Sequence, residues 1–213
     1  MEVIEMVVEL LNKYRGAIAP LISMGDPVLR RPAQPVTGRI DTALLRELSE
    51  LMLATMHATR GVGLAAPQIG IPLRIAVIGD TAEMPEDAAA ARKRIPVPDH
   101  TIINPMYTIT KGDSVSFYEG CLSMPGYQGV VPRPETVHAE YDDLDGARHV
   151  ERIAGWHARI FQHETDHLVG TIYLDKALTR SLTSDETYLS RWAQPTPAEA
   201  AEALGFPLPQ HNR

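Results

Sequence analysis

Two histidines that stand four residues apart, with a glutamate directly after the first, mark the C-terminal third of this chain: His163-Glu164-Thr165-Asp166-His167. In an α-helix, residues at this spacing lie on one face, so both imidazoles can reach the same metal ion. Glu164 points about 100° away around the helix, where it is better placed to accept a proton from a water at the metal than to act as a ligand. The pattern therefore predicts a helix at this position and metal-assisted hydrolysis as its chemistry.

A catalytic metal site of this kind normally has three protein ligands and one open position, so a third ligand has to come from elsewhere in the chain. Glu186 lies on a later predicted helix, as in zinc peptidases that take their third ligand from a second helix. Cys121, the only cysteine, offers a thiolate, which is a strong ligand for zinc and for iron(II). On residue types alone, both candidates stay open.

Composition limits the possible function classes. With 213 residues, of which 44% are hydrophobic, the chain is long enough to bury one continuous core. Its net charge of -7 and the lack of a basic run argue against a nucleic-acid surface. Glutamates interrupt the apolar stretch at residues 3–11, which predicts an amphipathic helix instead of a signal or membrane segment. One cysteine excludes an internal disulfide, so we expect a soluble, cytoplasmic protein with no membrane or nucleic-acid partner.

The remaining patterns predict a mixture of helices and strands. Apolar residues at helical spacing predict one helix in an N-terminal extension of about residues 1–20 and a long helix from Asp41 to near Arg60. Two segments are predicted to lie outside the core, namely an exposed insertion at about residues 80–100 and a C-terminal tail at about residues 177–213.

Three short segments resemble, in order and approximate spacing, the signature motifs of the peptide deformylases. They are GVGLAAPQ at residues 61–68, EGCLS at residues 119–123 and QHETDH at residues 162–167. The similarity extends from about residue 26 to residue 176, which is most of the chain. It implies an α+β fold in which antiparallel β-sheets pack around a central metal-binding helix, with helices at the N-terminus and a single domain over residues 1–213.

The resemblance also implies an activity. A peptide deformylase hydrolyses the formyl group from the N-terminal formyl-methionine of newly made polypeptides and releases formate. The expected partners are therefore N-formylated nascent peptides, with the ribosome as the place where the enzyme would meet them. By matching motifs, Cys121, His163 and His167 would hold one divalent metal ion, iron(II) in the first place, with zinc, nickel or cobalt able to replace it. Glu164 would act as general base and then as general acid.

Roles in substrate binding follow from the same resemblance. The side-chain amide of Gln68 and the backbone N–H of Leu122 would stabilise the developing oxyanion. The backbone at residues 61–64 would bind an extended peptide like an added strand. The side chains that are candidates for lining a methionine pocket are Val62, Trp156 and Ile160, although Trp156 could equally be part of the core. The implied substrate-binding residues are Val62, Gly63, Leu64, Trp156 and Ile160.

Some residues of the motifs, and one departure from them, call for separate interpretation. Glu119 is interpreted as a local organiser that pairs with a basic side chain such as Arg133 or Arg159, and Asp166 as a hydrogen-bonding support. Gln128 stands where many relatives have arginine, so a substrate contact there is in doubt. Two alternative functions remain, a deformylase of a non-ribosomal N-formyl metabolite and, more distantly, a zinc peptidase that uses Glu186.

Overall fold

The computed structural model describes residues 2–38, 40–109 and 112–208. Helices and strands alternate irregularly along the chain, as expected for an α+β protein. In chain order they are α1 (Val3–Tyr14), α2 (Thr42–Ala58), β1 (Gly63–Ala65), β2 (Ile75–Asp80), α3 (Glu86–Ala91), β3 (Val97–Ile109), β4 (Ser114–Cys121), β5 (Met124–Pro134), β6 (Thr136–Asp142), β7 (Arg148–Ala154), α4 (Gly155–His167), β8 (Thr183–Ser184), α5 (Asp185–Thr187, continued by a π-helical turn at Tyr188–Trp192) and α6 (Ala198–Leu204).

Two antiparallel sheets enclose the histidine-bearing helix. The larger has the strand order β1-β2-β3-β6-β7, and the smaller has the order β4-β5-β8. The buried face of α4, which includes Ala158 and Phe161, shares a hydrophobic cluster with Ile78, Ile102 and Val137 of the larger sheet. Helix α4 is therefore central, and the predicted fold class, with antiparallel sheets around this helix, is confirmed.

The two predicted N-terminal helices pack together beneath the larger sheet. Helix α2 begins at the predicted position, where the Asp41 carboxylate accepts a hydrogen bond from the backbone N–H of Ala43 at 2.8 Å. Val7 and Leu11 of α1 are buried in the same cluster as Leu48 of α2. The apolar face of α1 is thus used for packing. Within the ranges that the structure describes, no helix combines the length and the apolar character needed to cross a bilayer.

The insertion is narrower than the predicted residues 80–100 and is tied to the body of the protein. Asp80 ends β2 and is buried. Its carboxylate can be buried because both of its oxygens accept hydrogen bonds from the Arg94 guanidinium. Strand β3 already begins at Val97, whose side chain is buried. Only residues 81–96 lie outside the strands, and they include helix α3. Composition predicted that both ends of the segment at residues 80–100 are exposed. Instead, the ion pair with Arg94 buries Asp80 at one end, and strand pairing buries Val97 near the other.

The C-terminal segment packs beside the smaller sheet. Strand β8 pairs with β5 at Tyr127 and Gln128. Further along, Ala200 and Phe206 are buried in a cluster with Tyr118 and Val130. The described part of the predicted tail is therefore an integral layer over β4 and β5.

Candidate active site

Helix α4 presents His163, Glu164 and His167 from its last two turns. The rings of His163 and His167 have centroids 5.1 Å apart, as expected for residues one turn apart on the same face. His167 is completely buried, and Glu164 is nearly so. The spacing that predicted a metal-binding helix thus corresponds to two imidazoles side by side.

Cys121 is brought to these histidines by the tight turn between β4 and β5. It ends β4 and pairs with Met124 across the turn. Its Sγ lies 3.3 Å from Nε2 of His167. One ligand atom from each of Cys121, His163 and His167 lies within 4.8 Å of the other two. Glu186 is exposed and belongs to no such group within the described ranges, so the geometry selects the cysteine as the third partner.

These three side chains fit the metal that the motifs imply. Bond lengths of about 2.3 Å to sulfur and about 2.1 Å to nitrogen put tetrahedral ligand atoms about 3.5 Å apart. The separations in the structure are therefore close to those that an ion requires. A thiolate with two imidazoles is a donor set suited to zinc and to iron(II). The cluster is consistent with a metal site, and its donor types leave the identity of the metal open.

The ring of His163 is oriented by a buried carboxylate. Glu119 lies 2.9 Å from Nδ1 of His163 and accepts hydrogen bonds from Arg133 and Arg159. Burial alone would raise the pKa of Glu119, but the two arginines and His163 outweigh it and hold the pKa well below its ordinary value. The predicted pairing of Glu119 with Arg133 or Arg159 is confirmed, since it pairs with both.

Arg133 extends this network to the far side of the helix. It is almost completely buried and, besides its two hydrogen bonds to Glu119, donates one to Asp166 at 2.8 Å. Asp166 also accepts from Tyr107 at 2.9 Å and from Lys176 at 2.6 Å. Sequence reasoning found Asp166 but missed Tyr107 and Lys176, which lie outside the motifs' spacing and carry no local pattern of their own.

The carboxylate of Glu164 faces the groove, and one of its oxygens makes no hydrogen bond to the described part of the protein. Its Oε2 is buried and has no hydrogen-bond partner within the described ranges. Burial raises the pKa of Glu164 to about 7. Gly63 lies so close that a Cβ at that position would overlap the carboxylate. A carboxylate oxygen without a protein partner beside a metal site is available for proton transfer.

The amide of Gln68 is directed at the same centre. Gln68 belongs to a short 3-10 helix at Ala66–Ile69, and its Oε1 accepts from the backbone N–H of Ala65 at 2.8 Å. This bond turns Nε2 toward Cys121 Sγ, 3.4 Å away, and Ser123 Oγ, 3.3 Å away. Leu122, the other predicted oxyanion residue, sits in the turn directly after Cys121.

A groove of about 750 Å³ opens onto these residues. Val62, Gly63, Trp156 and Ile160 line it, together with Gln68, Leu122 and Glu164. Leu64 differs from its neighbours, because its side chain is fully buried in the core beneath β1. Only the backbone of Leu64 is thus left for the predicted peptide contact. Strand β1 is the edge strand of the larger sheet, so its outer edge lies beside the groove.

The unusual Gln128 also lines the groove. Its Nε2 donates to the Asp185 carboxylate at 3.2 Å, and Asp185 and Tyr188 of the C-terminal segment line the groove with it. Gln128, which stands where many relatives have arginine, therefore contacts the C-terminal segment, and this segment forms part of the groove wall.

Comparison with known proteins agrees with this arrangement. The family model of polypeptide deformylase matches residues 18–182. Peptide deformylase 3 of Streptomyces avermitilis is 52% identical over 194 residues, which is 91% of this chain and 87% of that protein. Peptide deformylase 1 of Streptomyces coelicolor is 49% identical over 205 residues, which is 96% of this chain and 93% of that protein.

A solved structure matches as well. The Met-Ala-Ser-bound crystal structure of class I type b peptide deformylase from Acinetobacter baumannii is 30% identical, with a TM-score of 0.68. The match covers 75% of this chain and 98% of that one. With the family model spanning most of the sequence and the metal-capable cluster formed by the motif residues, this chain belongs to the polypeptide deformylase family.

Proposed function

We propose that this protein is a peptide deformylase, a metallo-hydrolase that removes the N-formyl group from nascent peptides and releases formate. The observation that carries the proposal is the convergence of Cys121, His163 and His167 at one side of a groove that also exposes Glu164 and the amide of Gln68. Family membership and this geometry support the same reaction. A structural metal protein would have no use for an unpaired buried carboxylate beside its ligands.

We propose that Cys121, His163 and His167 hold one divalent ion, iron(II) in the cell, with zinc, nickel or cobalt as possible substitutes. A divalent ion bound by this donor set supplies Lewis acidity and acidifies water. Glu119 holds the imidazole of His163 in a fixed orientation. The ligand types support iron and zinc equally, so iron rests on the family resemblance.

The proposed division of labour rests on the family resemblance, and the hydrogen bonds of Gln68 support it. Glu164 takes the proton of the attacking water and delivers a proton to the leaving amine. The Gln68 amide, fixed by Ala65, and the backbone N–H of Leu122 donate to the formyl oxygen as its charge develops. A formyl carbon carries a hydrogen where other acyl groups carry a carbon chain, so it can approach this centre while a bulkier acyl group cannot.

We further propose that the peptide binds as an extra strand along the outer edge of β1, where Gly63 and Leu64 offer backbone groups. Val62, Trp156 and Ile160 would receive the methionine side chain. The similar peptide deformylase from Acinetobacter baumannii was crystallised with Met-Ala-Ser bound, which supports a peptide substrate of this kind. Residues 1–213 would form one catalytic domain that acts in the cytoplasm, with nascent chains met at the ribosome.

The deciding experiment combines metal analysis with a formate-release assay. Protein prepared without oxygen should release formate from formyl-Met-Ala-Ser when it is loaded with iron(II) or nickel. Glu164→Ala should keep its metal and lose this activity. A folded, metal-loaded protein that is inert on formyl-Met peptides but active on another N-formyl amine would replace the proposal with a metabolite deformylase.

A second pair of variants tests the ligand set. Cys121→Ser should lose the metal, because it replaces a thiolate with a weak neutral ligand. Glu186→Ala should retain it, since Glu186 is exposed and lies outside the cluster. The reverse pattern would indicate a zinc peptidase.

A further inference from the structure

Arg92 belongs to the segment that composition predicted to be exposed, yet it lies in the active-site groove. It follows α3 directly, is half-buried and lines the groove. Its guanidinium carbon is 4.8 Å from the ring centroid of Trp156 and 5.9 Å from that of Phe117. At such distances a cation is attracted to an aromatic face. The guanidinium group is therefore held in a defined position against Trp156, on the same wall of the groove.

The backbone around Arg92 is fixed to the body of the protein. Gly155, with φ +64°, begins α4, and a Cβ there would come within 2.5 Å of the Lys93 backbone oxygen. Lys93 Nζ forms an ion pair with Glu135 at 2.7 Å, and Arg94 pairs with the buried Asp80. These contacts on either side of Lys93 fix the backbone of the segment after α3. Arg92 therefore projects from an anchored part of the groove wall and not from a free loop.

One hydrogen-bond donor of Arg92 is left without a partner within the described ranges. Its Nε is buried and finds no hydrogen-bond partner in the described parts of the chain. Arg159, which also stacks on Phe117, instead donates to Glu119 and to the backbone oxygens of Val131 and Val115. A guanidinium has five N–H donors and no acceptor, so Arg92 can serve a ligand while Arg159 is committed to the protein.

A formyl-methionine covers part of the distance from His163 to Trp156, the residue on which Arg92 stacks. Trp156, Ile160 and His163 share one face of the helix, and seven residues separate Trp156 from His163 by roughly 10 Å along the axis. A stretched formyl-methionine measures roughly 6 Å from its formyl carbon to its sulfur. A formyl group held beside His163 therefore brings the sulfur toward the level of Trp156 and Arg92.

We propose that Arg92 determines specificity at the first residue by donating a hydrogen bond to an acceptor atom near the end of that side chain. The groove then accepts N-formyl methionine sulfoxide as well as N-formyl methionine. This inference rests on the deformylase function proposed above. A thioether sulfur is a weak acceptor and a sulfoxide oxygen a strong one, so the donor matters most for the oxidised side chain. A purely apolar wall would reject the sulfoxide, because burying it unpaired is costly.

The test compares three peptides on the nickel-loaded protein: formyl-Met-Ala-Ser, its methionine sulfoxide form, and formyl-norleucine-Ala-Ser, which keeps the chain length without an acceptor. The wild-type protein should cleave the sulfoxide peptide with a kcat/KM within about tenfold of that for methionine. Arg92→Leu should lower the sulfoxide-to-methionine ratio by about tenfold or more, since the lost bond leaves a polar group unpaired. It should leave norleucine cleavage unchanged relative to methionine.

Glu83→Gln is the matched control, because Glu83 is exposed in the same segment and lies outside the groove, so all three ratios should stay unchanged. Arg92→Gln, a shorter neutral donor, should give a sulfoxide ratio between those of wild type and Arg92→Leu, and it replaces the leucine variant if that fails to fold. Equal losses on all three peptides, or an unchanged ratio in the Arg92 variants, would overturn the inference. A wild-type protein active on methionine but inert on the sulfoxide would do the same. Inertness of the wild type on formyl-Met-Ala-Ser would overturn the proposed function itself.

Discussion

Two groups of residues surround the metal-binding end of α4 and hold their carboxylates in opposite ways. The buried side is the ion-pair network of Glu119 and Asp166 with Arg133, Arg159 and Lys176, and the groove side is Glu164 with its neighbour Gly63. On the buried side, Glu119 is bonded to Arg133, Arg159 and His163, and its pKa is held well below the ordinary value by these partners against the effect of burial. On the groove side, Glu164 is just as buried, but its Oε2 has no partner in the part of the chain that the structure describes, and burial raises its pKa to about 7.

This difference separates the groups that hold the site from those that act in it. A fully paired buried carboxylate fixes its neighbours, because moving any of them leaves a charge unpaired. An unpaired buried carboxylate costs stability and persists where another task requires it. Substitutions on the buried side should therefore reduce mainly stability, and those on the groove side mainly catalysis.

Glu164→Gln should give the largest effect and the cleanest separation. Removing the proton-transfer group should lower kcat/KM for formate release by about 10²- to 10⁴-fold. The amide has the same shape and no charge to bury, so the free energy of unfolding should stay the same or rise. Metal content, formate release and urea unfolding on one preparation test this. Loss of the metal together with the activity would place Glu164 among the groups that hold the site.

Arg133→Met should produce the converse result. It leaves Glu119 and Asp166 buried without their shared cation, which should lower the free energy of unfolding by about 3–5 kcal/mol. For a chain of this size the melting temperature should fall by roughly 10 °C. Arg148→Met is the control, because Arg148 forms only exposed pairs with Glu140 and Asp142, worth about 0–1 kcal/mol. Similar losses in both variants would contradict the special role of the buried side.

The groove side was the more predictable of the two from the sequence. The spacing of His163 and His167 places both on one face of a helix whatever the rest of the fold, and helix α4 (Gly155–His167) carries them as predicted. Cys121 and Gln68 required the family resemblance, because only the tertiary fold brings their segments to the helix. Residue types alone left both Cys121 and Glu186 open as the third ligand, and geometry separated them.

Contacts between distant segments explain what the sequence could not predict. Tyr107 on β3 and Lys176 after α4 meet at Asp166 only because two sheets pack around the helix. Residues 80–100 have the composition of an exposed insertion, but the pairing of Arg94 with Asp80 anchors the segment and brings Arg92 into the groove. Composition reports average exposure, whereas one buried ion pair can decide where a segment lies.

Gly63→Ala tests how closely the groove side is fitted. A Cβ at this position would overlap the Glu164 carboxylate, so either the strand edge or Glu164 has to shift. We expect a loss of about 1–3 kcal/mol in stability and about a tenfold fall in kcat. Gly120→Ala is the matched control, since its nearest neighbour would be Gln128 Cγ at 3.6 Å, an ordinary contact. Equal activity in the two variants would show that Glu164 tolerates displacement.

Lys176→Met should have the smallest effect and tests whether the buried side acts as one network. Lys176 is about one-third exposed and donates to Asp166 at 2.6 Å, so its loss should cost about 1 kcal/mol while Arg133 still pairs with the same carboxylate. In the Arg133→Met background Lys176 is the remaining cation at Asp166, so the same substitution should cost more there. Urea unfolding of the wild type, both single variants and the double variant gives this coupling energy directly. Additive losses would mean that Arg133 and Lys176 support Asp166 independently, and the buried side would then be a set of separate pairs.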